Sequence, residues 1–228
     1  MLLSPETEGS ITVTTTATLR PEILDKTYAS FTKNIQNARL RNFKLVINVD
    51  PAPKSRVHEV AEVVAVANRY FDCVEVFTPS EANFTSAIKR LWGAVSTDFI
   101  FHIEDDWELI KPVNFFSLFS LFDDEYTQQV KLCGTVANRV SKLGLSPSIT
   151  RATLFREAAK NMSDLLNPET QLHTVTKHVN RKQIVIYPTK RIQVVRDIGR
   201  AWMKENNILR KGKNDAKNKF TTWLSEQE

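Results

Sequence analysis

The chain has 228 residues, 42% apolar and 25% charged, enough for one large domain or one domain with an appendage. Six glycines leave no room for a Gly-rich phosphate loop, two cysteines supply neither a disulfide framework nor a zinc set, and no run approaches the ~20 apolar residues of a membrane span. The net charge of +5 is uneven: residues 177–228 carry 13 Lys/Arg against 5 Asp/Glu, and the rest carries 18 against 21. A basic end on a slightly acidic body points either to a polyanionic partner such as nucleic acid or to a solubilising helical face with a disordered tail.

Residues 1–10 are acidic, form an N-terminal extension and lack the apolar core of a signal peptide, so a cytoplasmic location is expected. Residues 11–16 are β-branched throughout and read as a strand. Pro21 then opens a helix with Ile23, Leu24, Thr27, Phe31 and Ile35 as its stripe. A second strand covers 43–49 and ends at Asp50-Pro51; a helix follows over 57–70. A short strand at 73–77 precedes a helix over 83–95, and the run Phe99-Ile100-Phe101-His102-Ile103 is a fourth strand. These are four βα repeats, which right-handed crossovers build into a parallel sheet covered on both faces.

The second half is more mixed. An apolar helix is expected over 115–122, strands over 130–136 and 146–151, a helix over 154–166, a β-run at 184–187 and a helix over 194–206. Cys73 and Cys133 lie in apolar runs and are expected as buried thiols. Residues 11–206 are therefore read as one α/β domain, with 11–110 and 111–206 as its two halves, and 207–228 as a basic tail.

The fourth strand runs straight into Glu104, Asp105 and Asp106. Ligands of open α/β sheets bind beyond the carboxyl ends of the strands. Three acids there would repel one another unless a hard cation such as Mg²⁺ or Mn²⁺ accompanied them; the plainer alternative is an acidic surface loop. Thr16, Asp50 and the acids all fall at strand ends, hence on one edge. Gly199 inside a helix would signal close approach of another backbone, and Arg196 and Arg200, four apart, would share a helix face.

The order strand-Thr-Thr, Arg20-Pro21-Glu22-helix, strand-Asp50, Asn83-helix, strand-Glu104-Asp105-Asp106 resembles the GT-A fold of nucleotide-sugar glycosyltransferases, particularly family 2, over residues 11–171. The resemblance implies a Rossmann-like fold and an inverting transferase with a nucleotide-sugar donor, a UDP-sugar first. It implies Asp106 as direct metal ligand for Mn²⁺ or Mg²⁺, with Glu104 and Asp105 near the ribose and the metal's waters. Thr14, Thr16, Arg20, Asp50 and Asn83 would line the donor pocket, and Arg196 and Arg200 could hold the diphosphate. Glu169, at a helix start after Asn167-Pro168, matches the general base, and His178 is a candidate further metal ligand. Asp50 can equally be a turn residue before Pro51, Glu169 a first-turn acid favoured by the helix dipole, and each arginine a surface cation.

The overall size and pattern resemble small phage-encoded transferases that glycosylate hydroxymethylated pyrimidines in DNA. That implies a DNA acceptor met by the basic end, with Trp202 or Trp223 stacking on a base. A glycan, lipid or protein acceptor is the competing enzyme reading. A nucleotidyltransferase shares the sheet and the metal, though it usually carries a Gly-rich loop where Ala17-Thr18-Leu19-Arg20-Pro21 stands. A nucleic-acid-binding module without catalysis is the reading from another class.

Overall fold

The computed structural model describes residues 10–52, 58–132, 143–179, 183–188 and 192–206. In chain order its first half runs β1 (Ile11–Ala17), α1 (Pro21–Asn34), β2 (Ile35–Gln36), β3 (Lys44–Val49), α2 (Val60–Tyr70), β4 (Cys73–Phe77), α3 (Phe84–Ala94) and β5 (Phe99–His102). Then come β6 (Trp107–Leu109), β7 (Val113–Asn114), α4 (Phe115–Phe119), β8 (Gln129–Leu132) and β9 (Ser148–Arg151). The last elements are α5 (Ala152–Asn161), α6 (Pro168–Val175), β10 (Ile184–Tyr187), β11 (Val195–Asp197) and α7 (Gly199–Glu205).

Seven strands form one sheet in the order β10-β8-β9-β5-β1-β3-β4. All neighbours pair parallel except β9, which runs antiparallel to both β5 and β8. The chain is thus a mixed α/β fold with a mostly parallel central sheet flanked by helices. Strands buried on both faces must carry apolar or self-satisfied side chains on each. One face of β1 buries Ile11, Val13 and Ala17 against α1, α2 and α4; a separate apolar cluster holds Val46 and Ile100 with Ile88, Leu91 and Trp92 of α3 and Phe155 of α5. Trp92 stacks on Phe155 at 3.9 Å between centroids, and truncating one such buried ring costs about 3–5 kcal/mol. The buried His102 is held in that second layer by Thr14 Oγ1, 2.9 Å from its Nδ1, and burial pushes its pKa down to about 3.

Local chemistry sets the helix starts that matter for the site. Pro21 opens α1. The Asn83 carboxamide oxygen accepts from Ser86 N at 2.9 Å and caps α3, and Asn167 does the same for Glu169 N at 2.9 Å in α6. Glu59 and Glu62 form a capping box that starts α2 at Val60, so the helix begins later than its apolar periodicity suggests.

Several expectations are corrected. Residues 194–206 are not one helix. Val195–Asp197 pair antiparallel with β6, and the helix starts only at Gly199, where the Asp197 carboxylate accepts from the Gly199 and Arg200 amides at 3.0 and 3.3 Å. Arg196 and Arg200 therefore do not share a helix face. The helix expected over 154–166 is α5, set earlier and ending at Asn161; the turn after it is bolted by the Gln171 carboxamide, which binds Ser163 N at 2.6 Å and Ser163 O and Leu166 O at 2.8 Å. The apolar helix expected over 115–122 tightens to a 3₁₀ turn after Phe119. Cys73 is exposed. Cys133, the strand residues beyond Leu132, and the tail 207–228 with Trp223 lie outside the described residues. Among the described residues no helix is long and apolar enough to cross a membrane.

Candidate functional site

The strand ends of β1, β3 and β5 meet at one edge because the chain leaving each strand is still hydrogen-bonded to its neighbour. Asp50 N donates to Ala17 O at 2.9 Å, Ile103 N to Thr14 O at 2.9 Å and Asp105 N to Thr16 O at 3.1 Å. The acidic loop is therefore zipped onto the end of β1 rather than floating above it.

Asp105 is the fixed point of that loop. Arg20, fully buried, donates from Nη2 to Asp105 Oδ1 at 2.6 Å and from Nε to Oδ2 at 3.3 Å. Thr18 adds its amide at 3.1 Å and its hydroxyl at 3.3 Å, and Thr27 Oγ1 donates to the Asp105 carbonyl at 2.6 Å. Burial alone would lower the Arg20 pKa, but Asp105 and Asp106 outweigh it and raise it, so the guanidinium stays charged. Its other face lies on the Trp202 ring at 5.1 Å, and Trp202 Nε1 donates to Glu22 at 2.9 Å. A charge pair this dry depends on the hydrogen bonds that Arg20 and Thr18 make to the Asp105 carboxylate.

Asp106 is held much more loosely. Its carboxylate is 19% exposed and lies 3.5 Å from Arg20 Nη2, while its carbonyl accepts from Ile198 N at 2.9 Å. Burial pushes its pKa up to about 6, against the pull of Arg20 and with the added push of Asp105 and Asp197. Glu104, which accepts from Trp107 Nε1 at 2.9 Å, is pushed well above the usual carboxylate range by burial, by Asp106 and by Glu169. Glu169 sits exposed in the first turn of α6, close enough for its charge to be felt at Glu104.

A second corner forms at the end of β3. Asp50, 5% exposed, accepts from Asn48 Nδ2 at 2.7 Å and from Asn83 N at 3.1 Å. Arg90 of α3 donates from Nε to Asn48 Oδ1 at 2.8 Å and brings Nη2 within 3.7 Å of Asp50. Burial raises the Asp50 pKa while Asn48, Arg90 and the Asn83 amide pull it down. Asn83 Nδ2 also reaches Asp164 O at 3.1 Å, tying this corner to the turn before α6.

The structure thus gathers Arg20, Asp50, Asn83, Glu104, Asp105 and Asp106 at one edge, with Thr16 partly exposed beside them and Glu169 at the rim. Thr14 points into the second core layer onto His102. Arg196 is exposed and pairs with Glu108 across the β6–β11 ribbon, while exposed Arg200 pairs with Asp197 at 3.0 Å. His178 is exposed in the turn after α6. Trp202 is buried beneath Arg20, so it is not a platform for a base. Sequence reasoning missed Arg90, whose one signal is its place a turn and a half into the Asn83-capped helix, and Thr18 and Thr27, whose neutral hydroxyls gave none.

Among the described residues no group of three or more His, Cys, Asp or Glu is disposed to hold a metal by itself. The donor set still suits a hard divalent cation. Asp105 is committed to Arg20, leaving Asp106 with Glu104 beside it. One or two carboxylates are the usual protein share for Mg²⁺ or Mn²⁺, with water and phosphate oxygens completing the shell.

No family model and no curated protein matches the chain in sequence. Solved structures do match in fold. TarS 1-349 of S. aureus aligns at TM-score 0.55 and 13% identity over 79% of this chain and 58% of that one. A mannosyltransferase of Pyrobaculum calidifontis, solved with GDP-Man and Mn²⁺, aligns at 0.56 and 8% over the same shares. A cytidylyltransferase of Leptospira borgpetersenii aligns at 0.52 and 12%, covering 87% of this chain and 86% of that one. TarS 1-349 has also been crystallised with UDP-GlcNAc. The chain therefore spans less than two thirds of TarS 1-349 and of the mannosyltransferase. These likenesses concern the fold: a GT-A, Rossmann-like sheet.

Proposed function

We propose that this GT-A-fold chain is a metal-dependent, inverting glycosyltransferase that moves a sugar from a nucleotide sugar, a UDP-sugar first, to a hydroxyl acceptor. The observation that carries the reading is the division of labour in the acidic loop. Arg20 and Thr18 consume Asp105, whereas Asp106 is presented at the rim with a raised pKa and one long contact. Asp106, with Glu104 beside it, would hold Mn²⁺ or Mg²⁺, and His178, exposed after α6, stands outside that set. Bound there, such a cation would supply Lewis-acid stabilisation of the leaving diphosphate.

The chain's own residues supply the rest. Asp50 and Arg90 put an acceptor and a donor side by side, which suits a base edge carrying an N–H next to a carbonyl. Arg196 and Arg200 are the exposed cations nearest in sequence to the α7 start that contacts the acidic loop, although each is ion-paired. Glu169 takes the proton from the acceptor hydroxyl as its oxygen attacks the anomeric carbon and the bond to the nucleoside diphosphate breaks. Glu169→Gln keeps donor binding and lowers transfer roughly 10²–10⁴-fold; unchanged turnover removes Glu169 from the mechanism.

The nucleotidyltransferase reading draws on one observation, the matched length of the cytidylyltransferase. Against it stands the segment after β1, which has no glycine and whose arginine is spent on Asp105. The two readings differ in product: nucleotidyl transfer from CTP releases pyrophosphate, and glycosyl transfer releases a nucleoside diphosphate. The acceptor proposed is a hydroxymethylated pyrimidine in DNA, supported by the basic C-terminal quarter; a glycan, lipid or protein hydroxyl is the competing acceptor. The deciding experiment is thermal shift with UDP-sugars and GDP-mannose, with and without Mn²⁺. A metal-dependent rise for one donor, lost in Asp106→Ala, is expected; no shift for any donor overturns the proposal. DNA binding that outlives Asp106→Ala, with no donor shift, marks a binding module.

A further inference from the structure

Gly199 opens α7 and is buried against the acidic loop. Its backbone does not ask for glycine, because no described glycine has a positive φ. The space around it does. A Cβ built there would lie 2.1 Å from Asp106 Oδ2, 2.8 Å from Asp106 Cγ and 3.0 Å from Asp106 Cβ. Real Cβ atoms do not tolerate such approaches, and the crowded group is too short to swing clear: rotating the carboxylate leaves its own Cβ in contact. The carboxylate that contacts Gly199 is the same one that leans on Arg20 at 3.5 Å and shows 19% of its surface at the rim.

The two sides of this contact are both anchored. Ile198 N holds the Asp106 carbonyl at 2.9 Å, and Asp197 holds the amides of Gly199 and Arg200. Behind them Trp202 is clamped between Arg20 and Glu22. Neither α7 nor the acidic loop can back away without breaking several hydrogen bonds, so a methyl at 199 has to be accommodated by Asp106.

We propose that Gly199 is a positioning residue for Asp106: the side chain it lacks is the space the Asp106 carboxylate fills, and that space sets where the carboxylate points. Its consequence for cation binding rests on the function proposed above; the steric part does not. Gly199 is then part of the site although it offers no polar side chain, and an alanine, harmless on grounds of backbone and polarity, is a disabling change.

The test is a double-mutant cycle read in two ways. Gly199→Ala, Asp106→Gly and the double variant are melted without metal. Overpacking predicts that Gly199→Ala lowers the thermal midpoint by about 4 °C or more when Asp106 is present, and that most of this cost disappears in the Asp106→Gly background, where every crowded atom is gone. The second reading is Mn²⁺ uptake in the presence of UDP, followed by the loss of the free-Mn²⁺ paramagnetic resonance signal, with Gly199→Ala expected to weaken it about tenfold or more. An equal thermal cost in both backgrounds overturns the proposal, and so does unchanged Mn²⁺ uptake by Gly199→Ala. If the unsubstituted chain takes up no Mn²⁺ with UDP, the metal reading of Asp106 fails, while the thermal cycle judges Gly199 independently.

Discussion

Arg20 is a whole guanidinium removed from water, and its removal leaves Asp105 as a buried charge with only Thr18 for support. Arg20→Leu therefore costs about 3–5 kcal/mol, a fall of roughly 10 °C in thermal midpoint. Arg20→Lys recovers part of it, since an ammonium cannot reproduce the paired contacts to Oδ1 and Oδ2. Asp106 behaves oppositely. Burial holds its pKa at about 6, above the ordinary aspartate value, so between those two values the folded chain keeps a proton that the unfolded chain releases. Stability contributed by this group thus falls as pH rises through that window. Without metal, Asp106→Asn is expected to raise the melting midpoint at pH 7.5, with the gain fading as pH drops toward 4. A midpoint that is unchanged or lower at pH 7.5 contradicts the assignment. The three adjacent acids were legible from sequence, but their roles were not. Which carboxylate is locked and which is presented depends on Arg20 and Thr18, 85 and 87 positions away in the chain.

The elements differ in how firmly they are held. The strands β1, β3 and β5 sit in a continuous apolar core, whereas α7 rests on a detached cluster of Ile23, Trp202 and Met203. Amides of α7 should therefore exchange with solvent long before those of the central strands. Trp202→Ala should speed exchange in α7 about 100-fold while leaving β1 and β5 unchanged. A uniform loss of protection across the sheet would show that α7 is no separate unit. The βα alternation up to β5 was readable because each strand is an apolar run and each helix carries its own stripe. Residues 194–206 were misread because Val194, Ile198 and Trp202 recur at helical spacing. The strand partner that overrules this spacing, β6, lies 88 residues earlier and leaves no local trace.

At the scale of the molecule the charge is divided, acidic at the sheet edge and basic toward the end of the chain. If DNA is the acceptor, its affinity should fall linearly in log–log terms with salt, and removing residues 207–228 should flatten that slope. Salt-independent or absent binding directs the search to glycans, lipids or proteins. The fold was legible because a parallel sheet buried on both faces leaves a distinctive apolar record; an acceptor surface leaves no comparable pattern in one sequence. The ribbon joining β6 to β11 bears on biosynthesis as well. Translation delivers Glu104, Asp105 and Asp106 early, but the segment that pairs with the loop, seats Asp106 and lids Arg20 is made some ninety residues later. A ribosome still holding residues 195–205 in its tunnel displays the sheet with an unfinished acid loop. The acidic loop is then completed only after the strands that carry it have been made and can already have condensed.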